Sequence, residues 1–384
     1  MAESAKLYVA MGGAVGCQAL ARALYAHVEH DAVLRPLFPS TFKCAIEEFS
    51  AFLVQFLGGE AEQMQPRWWL SLSESHRRFS IGEREREAWL RAMTVALADE
   101  SVITDAKVRA ELIEFFRHSS TYIVNQGKPS KSERPLSGEL AALWEEQVSL
   151  DNFVAAVRSG LEANDCIELL ERPELQARFA RSPAVYASVL ALAATSKIPL
   201  LRNYAAGQIR AHPSLVHERH KRWRTLLHDA AGEGEVEIVE LLLDMGAGKF
   251  SQDDKAPSPL YCVANECSAP GASEIVRILL RRDSGSVNAA YGVKRCTPLH
   301  MAARRGNLEV ISALLDGGAE IEARDSVGET PLRRAVNCNK VEAVRLLLAR
   351  GADRHSVGSK QLTAELAARS EQMKRVFAMP QRGN

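Results

Sequence analysis

The stretch Glu74-Ser75-His76-Arg77-Arg78-Phe79-Ser80-Ile81-Gly82-Glu83-Arg84-Glu85-Arg86-Glu87-Ala88-Trp89-Leu90-Arg91-Ala92-Met93 decides how the front of the chain folds. Ser80 with Glu83 three residues on is a capping box, which predicts a helix starting near Ile81. Trp89, Met93 and Ala96 or Leu97 recur at helical spacing and form its apolar face. His76 lies outside that cap, on a short turn or helix of its own. A histidine before one helix and a tryptophan on the next can present a ring nitrogen to a cofactor between them. Most histidines serve no such role, so local sequence alone leaves both readings open.

Working outward, residues 1–127 read as all helix. Leu7 to Met11 is a short helix stopped by Gly12-Gly13, where glycine accepts the left-handed conformation. Val15 to His30 carries Leu20, Ala23, Leu24 and Val28, with Tyr25 beside that face. Pro36 and Pro39 mark a corner around Leu37 and Phe38. Ala45 to Leu57 is thick with Phe49, Phe52, Leu53 and Phe56, and Gly58-Gly59 closes it. A polar loop leads through Trp68-Trp69 to His76, and helices are expected over Ile81 to Asp99 and Asp105 to Val124. Most of the chain's phenylalanines lie here. They suit an ordinary core or the walls of a flat apolar cofactor, and composition does not separate the two.

Length and charge bound the rest. The 384 residues allow two or three domains. With 48 basic and 48 acidic side chains there is no net field toward nucleic acid or an anionic membrane. No apolar run reaches the roughly 18 residues of a transmembrane helix. The start, MAESAKLYVAMGGAVG, lacks a basic head before a long apolar core, so no signal peptide is expected. Seven scattered cysteines, odd in number and without a CxxC pair, argue against zinc and for reduced thiols in a cytoplasmic protein.

Four ordered motifs stand out: Leu7-Tyr8 with Gly12-Gly13; Leu24-Tyr25 with Val33-Leu34-Arg35-Pro36-Leu37-Phe38-Pro39; Phe52 through Gly59; and His76-x-x-Phe79-x-Ile81 followed by Ala88-Trp89-Leu90-x-x-Met93. On these motifs, residues of about 7 to 125 resemble a group II truncated haemoglobin. The resemblance implies a two-over-two helical sandwich that holds haem b. It makes His76 the proximal iron ligand and Tyr25 and Trp89 distal donors to a diatomic gas. Phe38 would stack on the porphyrin, and Ala45 and Phe49 would stand on the distal helix nearest the gas. Phe52 and Phe79 of the quoted motifs count among the residues around the cofactor. The chain departs from the pattern at Ser73 and Ser75, where many relatives have arginines for the haem propionates. Arg67, Arg77 and Arg78 are the nearby substitutes. Phe49 stands where glutamine is common.

Gly127 to Pro135 is a polar linker with two prolines. Beyond it a repeat appears. Thr225-Leu-Leu-His228-Asp-Ala-Ala recurs as Thr297-Pro-Leu-His300-Met-Ala-Ala and Thr330-Pro-Leu-Arg333-Arg-Ala-Val, with a weaker copy at Ser258 and a truncated one at Thr363. The long step from Ser258 to Thr297 points to insertions around Cys267 to Ala272 and near Asp283 to Ser286. These copies resemble ankyrin repeats from about 222 to 370, each a turn and two antiparallel helices stacked into a solenoid. His228 and His300 are then turn residues that hydrogen-bond within the repeat. Residues 137–221 hold two weaker helix pairs, Phe153 with Ile167 and Val189 with Leu200 to Ile209. They read as divergent repeats capping the solenoid, with a separate helical linker domain as the alternative. The basic run His217 to Arg224 reads as a solvated face.

The expected class is therefore all-α: a truncated globin at 1–127, a linker at 128–136, degenerate repeats at 137–221 and ankyrin repeats at 222–384. The resemblances imply a haem protein that binds oxygen, nitric oxide or carbon monoxide and carries a protein-interaction module, with gas sensing as a use of the pair. They leave two alternatives open. One is a nitric oxide dioxygenase or peroxidase-like enzyme fed by an external reductant. The other is an ankyrin scaffold whose globin holds no haem. No nucleic-acid or membrane partner is expected.

Overall fold

Helix α1 (Lys6–Ala10) stops where Gly12 takes φ +84°, a conformation that favours glycine, and α2 (Gly13–Val28) starts at once. A Cβ on Gly16 would lie 1.6 Å from the carbonyl oxygen of Met11, so only glycine lets the two helices join this closely. Helix α2 buries Cys17, Leu20, Leu24, Tyr25 and Val28 along one face. The computed structural model describes residues 6–59, 71–127, 135–220, 224–248, 257–358 and 362–378. Arg67, Trp68 and Trp69, and the expected linker up to residue 134, lie outside them.

Helix α3 (Lys43–Phe56) follows the Pro36–Pro39 corner, then come the short α4 (Leu72–His76), α5 (Glu83–Ala98) and α6 (Ala106–Ser119), which runs into a 3-10 turn at Ser120–Ile123. Helix α2 packs on α3 and on α5, and α5 packs on α6. The remaining side of the square is closed by rings: Phe56 of α3 stacks on Phe115 of α6 at 4.8 Å between centroids. Two helix pairs thus lie one over the other, as expected. Each fully buried Leu or Phe in this layer contributes about 1.5–3 kcal/mol.

The start of α5 corrects the sequence reading. Its N-cap is Gly82, and Glu85 reaches back to accept from the Gly82 N–H at 2.9 Å. Glu83 is turned to Arg86 instead. Ser80 is exposed and plays no capping part, and the Ile81 N–H is taken by Asn125 Oδ1 at 2.9 Å.

Two compact units divide the chain: Met1–Val189 with Ser196–Leu201 and His220–Arg222, and Leu190–Thr195 with Arg202–Arg219 and Trp223–Asn384. The first unit does not end with the α6 layer. Helix α7 (Gly138–Ser159) adds Leu140, Leu143 and Trp144 to the same apolar core that holds Phe56 and Phe115. Trp144 meets Phe115 and Tyr122 edge-on at 5.8 and 5.5 Å. Helices α8 (Ala163–Leu170) and α9 (Pro173–Arg181) pack on α7, where Glu146 is buried between Arg178 and Arg181. Helix α9 was not anticipated. The segment 137–221, read as a solenoid cap, is thus shared between the units, and the division falls within α10 (Pro183–Ala194) and α11 (Pro199–Ala211).

The second unit is the solenoid. First helices α12 (Leu226–Glu233), α14 (Pro259–Glu266), α16 (Pro298–Arg305) and α18 (Pro331–Asn337) stack in order. Second helices α13 (Val236–Asp244), α15 (Ala272–Arg282), α17 (Leu308–Asp316) and α19 (Val341–Ala349) form the other layer. The insertions lie in a loop before α15 and a 3-10 turn at Ser284–Asn288. The truncated copy at Thr363 forms a single bridge to Val357 and turns rather than a helix, and α20 (Glu371–Ala378) packs on α19 through a buried Met373, Val376 and Phe377 face. No helix among the described residues is long and apolar enough to cross a membrane.

Candidate functional site

His76 ends a five-residue helix that could not persist alone, since short helices are unstable in water. Ser71 caps α4 by accepting from the Glu74 N–H at 3.1 Å. The ring Nδ1 of His76 lies 2.8 Å from the Leu72 carbonyl and 2.9 Å from Ser75 Oγ, and Ser75 Oγ itself donates to the same carbonyl at 2.8 Å. A carbonyl only accepts, so Nδ1 carries the proton and Nε2 keeps its lone pair. Burial lowers the pKa of the ring, opposed by the Leu72 carbonyl and aided by the charge of Arg78. The imidazole is therefore neutral at neutral pH, as a metal ligand must be. Asn125 fixes the exit from α4 by donating to the Phe79 carbonyl at 2.7 Å and, more weakly, to that of His76 at 3.4 Å.

From His76 a continuous series of rings crosses the unit. His76 and Phe79 centroids are 6.4 Å apart, Phe79 and Phe38 6.0 Å, and Phe38 and Tyr25 5.5 Å. Tyr25 lies 6.4 Å from Phe49, and Phe49 lies 6.4 Å from both Phe52 and Trp89. Ala45 stands one turn before Phe49 on α3. All the expected site residues except Tyr25 are only half-buried, which sets them apart from the fully buried Phe56 and Phe115 behind them. Tyr25 is buried, and no described residue accepts from its hydroxyl. Burial, and next the charge of Glu48, push its pKa well above the ordinary tyrosine value, so it remains a neutral O–H donor.

The Phe38 corner is positioned from the backbone. Asp31 Oδ1 accepts from the Val33 and Leu34 N–H groups at 2.8 and 2.9 Å. Arg35 donates to the Phe38 and Pro39 carbonyls at 3.1 and 3.0 Å and lies over the Phe42 ring at 5.0 Å. Phe42, 5.5 Å from Tyr25, and Phe116, 5.6 Å from Trp89, belong to the same series and went unnoticed in the sequence. Their signal was present in α-helical spacing but no different from that of core residues.

Ser73 and Ser75 do not serve as anion holders. Ser75 supports His76, and the Ser73 N–H points to Asp151 at 3.4 Å. Of the substitutes, Arg77 pairs with Glu74 at 3.2 Å, and Arg78 lies over Phe79 at 4.8 Å with its charge at the exposed edge of the ring series. The donor set fits a flat apolar group carrying a metal. There is one imidazole with an uncommitted Nε2, two polar donors in Tyr25 and Trp89, and aromatic walls between them.

Comparison with known proteins agrees with both units. Residues 6–122 match the family described as bacterial-like globin. Residues 222–254 match the ankyrin repeat, and 265–357 match a run of ankyrin repeats in three copies. The chain thus carries a bacterial-like globin domain followed by ankyrin repeats. It is 33% identical over 148 residues, 36% of its length, to the human ankyrin repeat and SOCS box protein 16. It is 30% identical over 148 residues to a transient receptor potential cation channel subfamily A member 1 homolog of Caenorhabditis elegans, and 32% over 135 residues to the human neurogenic locus notch homolog protein 2, covering 38% and 35% of this chain. The matched stretches span 32%, 12% and 5% of those proteins.

Proposed function

We propose that the protein is a haem-binding globin of the group II truncated kind that takes up a diatomic gas, and that its ankyrin repeats engage a protein partner. The observation that carries this reading is the state of His76: neutral, with Nδ1 committed to the Leu72 carbonyl and Nε2 left with its lone pair at the head of a half-buried aromatic series. Haem iron held by such an imidazole supplies a binding position for oxygen, nitric oxide or carbon monoxide, tuned by distal donors and access. Tyr25 and Trp89 are the donors: the phenol keeps its proton because it is buried, and an indole N–H can only donate. Phe38, Phe49, Phe52 and Phe79 give the site apolar walls, which strengthen a hydrogen bond made between them. Arg78 is placed to meet a propionate.

The test is the absorption spectrum of the full chain titrated with haemin, in the ferric state, the ferrous state and under carbon monoxide. One haem per chain with a ferrous carbon monoxide complex is expected. Tyr25→Phe and Trp89→Phe should each speed oxygen release by about tenfold or more, the loss of one charge-polarised hydrogen bond. A chain that leaves haemin unbound overturns the reading and leaves the globin as a fold alone.

A further inference from the structure

The helix that bears His76 is held from outside the globin family match, which ends at residue 122. Asp151 of α7 is buried, and its carboxylate faces the start of α4: it accepts from the Ser73 N–H at 3.4 Å, from the Leu72 N–H and from the Ser71 hydroxyl. Gln147, one turn earlier on α7, donates to the same carboxylate at 3.4 Å. Glu74, the middle residue of α4, is paired with Arg158 of α7 at 2.5 Å. Asp151 and Arg158 are seven residues apart, on one face of α7 and separated by about 10 Å of helix rise. Helix α4 is five residues long, about 7.5 Å. The two contacts therefore hold the first three residues of the short helix, Leu72 to Glu74, and Leu72 is the residue whose carbonyl orients His76.

We infer that α7 is the proximal support of the globin, with Asp151 and Arg158 as positioning residues that fix the direction in which His76 offers Nε2. This rests on the haem reading for its effect at iron, but the grip on α4 exists without haem. Trp144 and Gln147 continue the same face of α7 toward Phe115, so the support is seated in the core of the unit. Asn125 ties down only the exit from α4.

The experiment uses the full chain with Asp151→Asn, with Arg158→Glu, and with the exchanged pair Glu74→Lys and Arg158→Glu. Circular dichroism first confirms that each is folded; the Arg158 variants alter a surface pair. Amide hydrogen exchange over residues 72–77, read without haem, should quicken by about tenfold in the first two variants and return toward the parent rate in the exchanged pair. In the haem-loaded chain the ferrous iron–histidine stretching band should shift or broaden in the first two and be restored in the third. Unchanged exchange overturns the proposal, as does faster exchange with an unmoved band. If no variant and no parent binds haem, the functional reading fails, and the exchange measurement alone decides whether α7 supports α4.

Discussion

His300 in the solenoid and His76 in the globin are both held neutral by burial, and they are spent differently. His300 Nδ1 meets the Thr297 N–H and hydroxyl at 3.2 and 2.8 Å, and its Nε2 lies 2.9 Å from the Glu329 carbonyl of the next repeat. Both nitrogens are used, one within the repeat and one to its neighbour. His228 repeats the first half of this arrangement with Thr225 at 3.0 and 2.9 Å. His76 has one nitrogen used and one not. The same side chain is a structural staple where every polar atom is answered, and keeps a lone pair to offer where one is withheld.

The sharpest way to break this contrast is to remove each ring in turn. His76→Ala should weaken haem retention by about 100-fold or more, read by transfer of haem to an acceptor globin, while His300→Ala should leave it unchanged. Equal losses in the two variants would erase the distinction. The reverse holds for stability. His300→Ala leaves a cavity and strips the Thr297 and Glu329 groups of their partners, and should cost the solenoid about 2–4 kcal/mol in urea unfolding. Lowered pH probes the staple more gently. The folded pKa of His300 lies below its ordinary 6.5, so the unfolded chain takes up the proton first as pH falls. Solenoid stability is thus greatest above that range and declines as pH drops through about 6.5, by a few degrees in Tm; His300→Gln should flatten that part of the curve. The smallest effect is expected at Ser75→Ala. It removes one of two neighbours of His76 Nδ1 and should lower haem retention by no more than about tenfold, with the Leu72 carbonyl still in place.

The two regions also differ in how far they could be read from sequence. The ankyrin staple spans four residues, Thr297 to His300, and recurs in successive repeats, so a local motif carries it. The globin site joins residues 25, 38, 49, 76 and 89, and here resemblance supplied what spacing alone could not. Its supports stayed hidden for a plain reason. Asn125 and Asp151 act on α4 from 49 and about 78 positions away and belong to no motif. The cap of α5 was misplaced because acidic residues stand at 83, 85 and 87, each able to reach a backbone N–H three positions back; Glu85 does so, to Gly82, while Glu83 turns to Arg86. Ser75 looked like a missing arginine and is a neighbour of the His76 ring.

Helix α7 shows one face to the globin core and the other to α8 and α9, and that has a consequence for how such a chain could have been assembled. The recognisable boundary at residue 122 is not a boundary of cohesion, because Trp144 covers Phe115 and Tyr122 from beyond it. A recombination event that cut there would have left aromatic surface bare to water. The inheritable block of this globin therefore includes α7 together with the α8 and α9 that cover its other face, and a graft onto a different companion domain should carry all three.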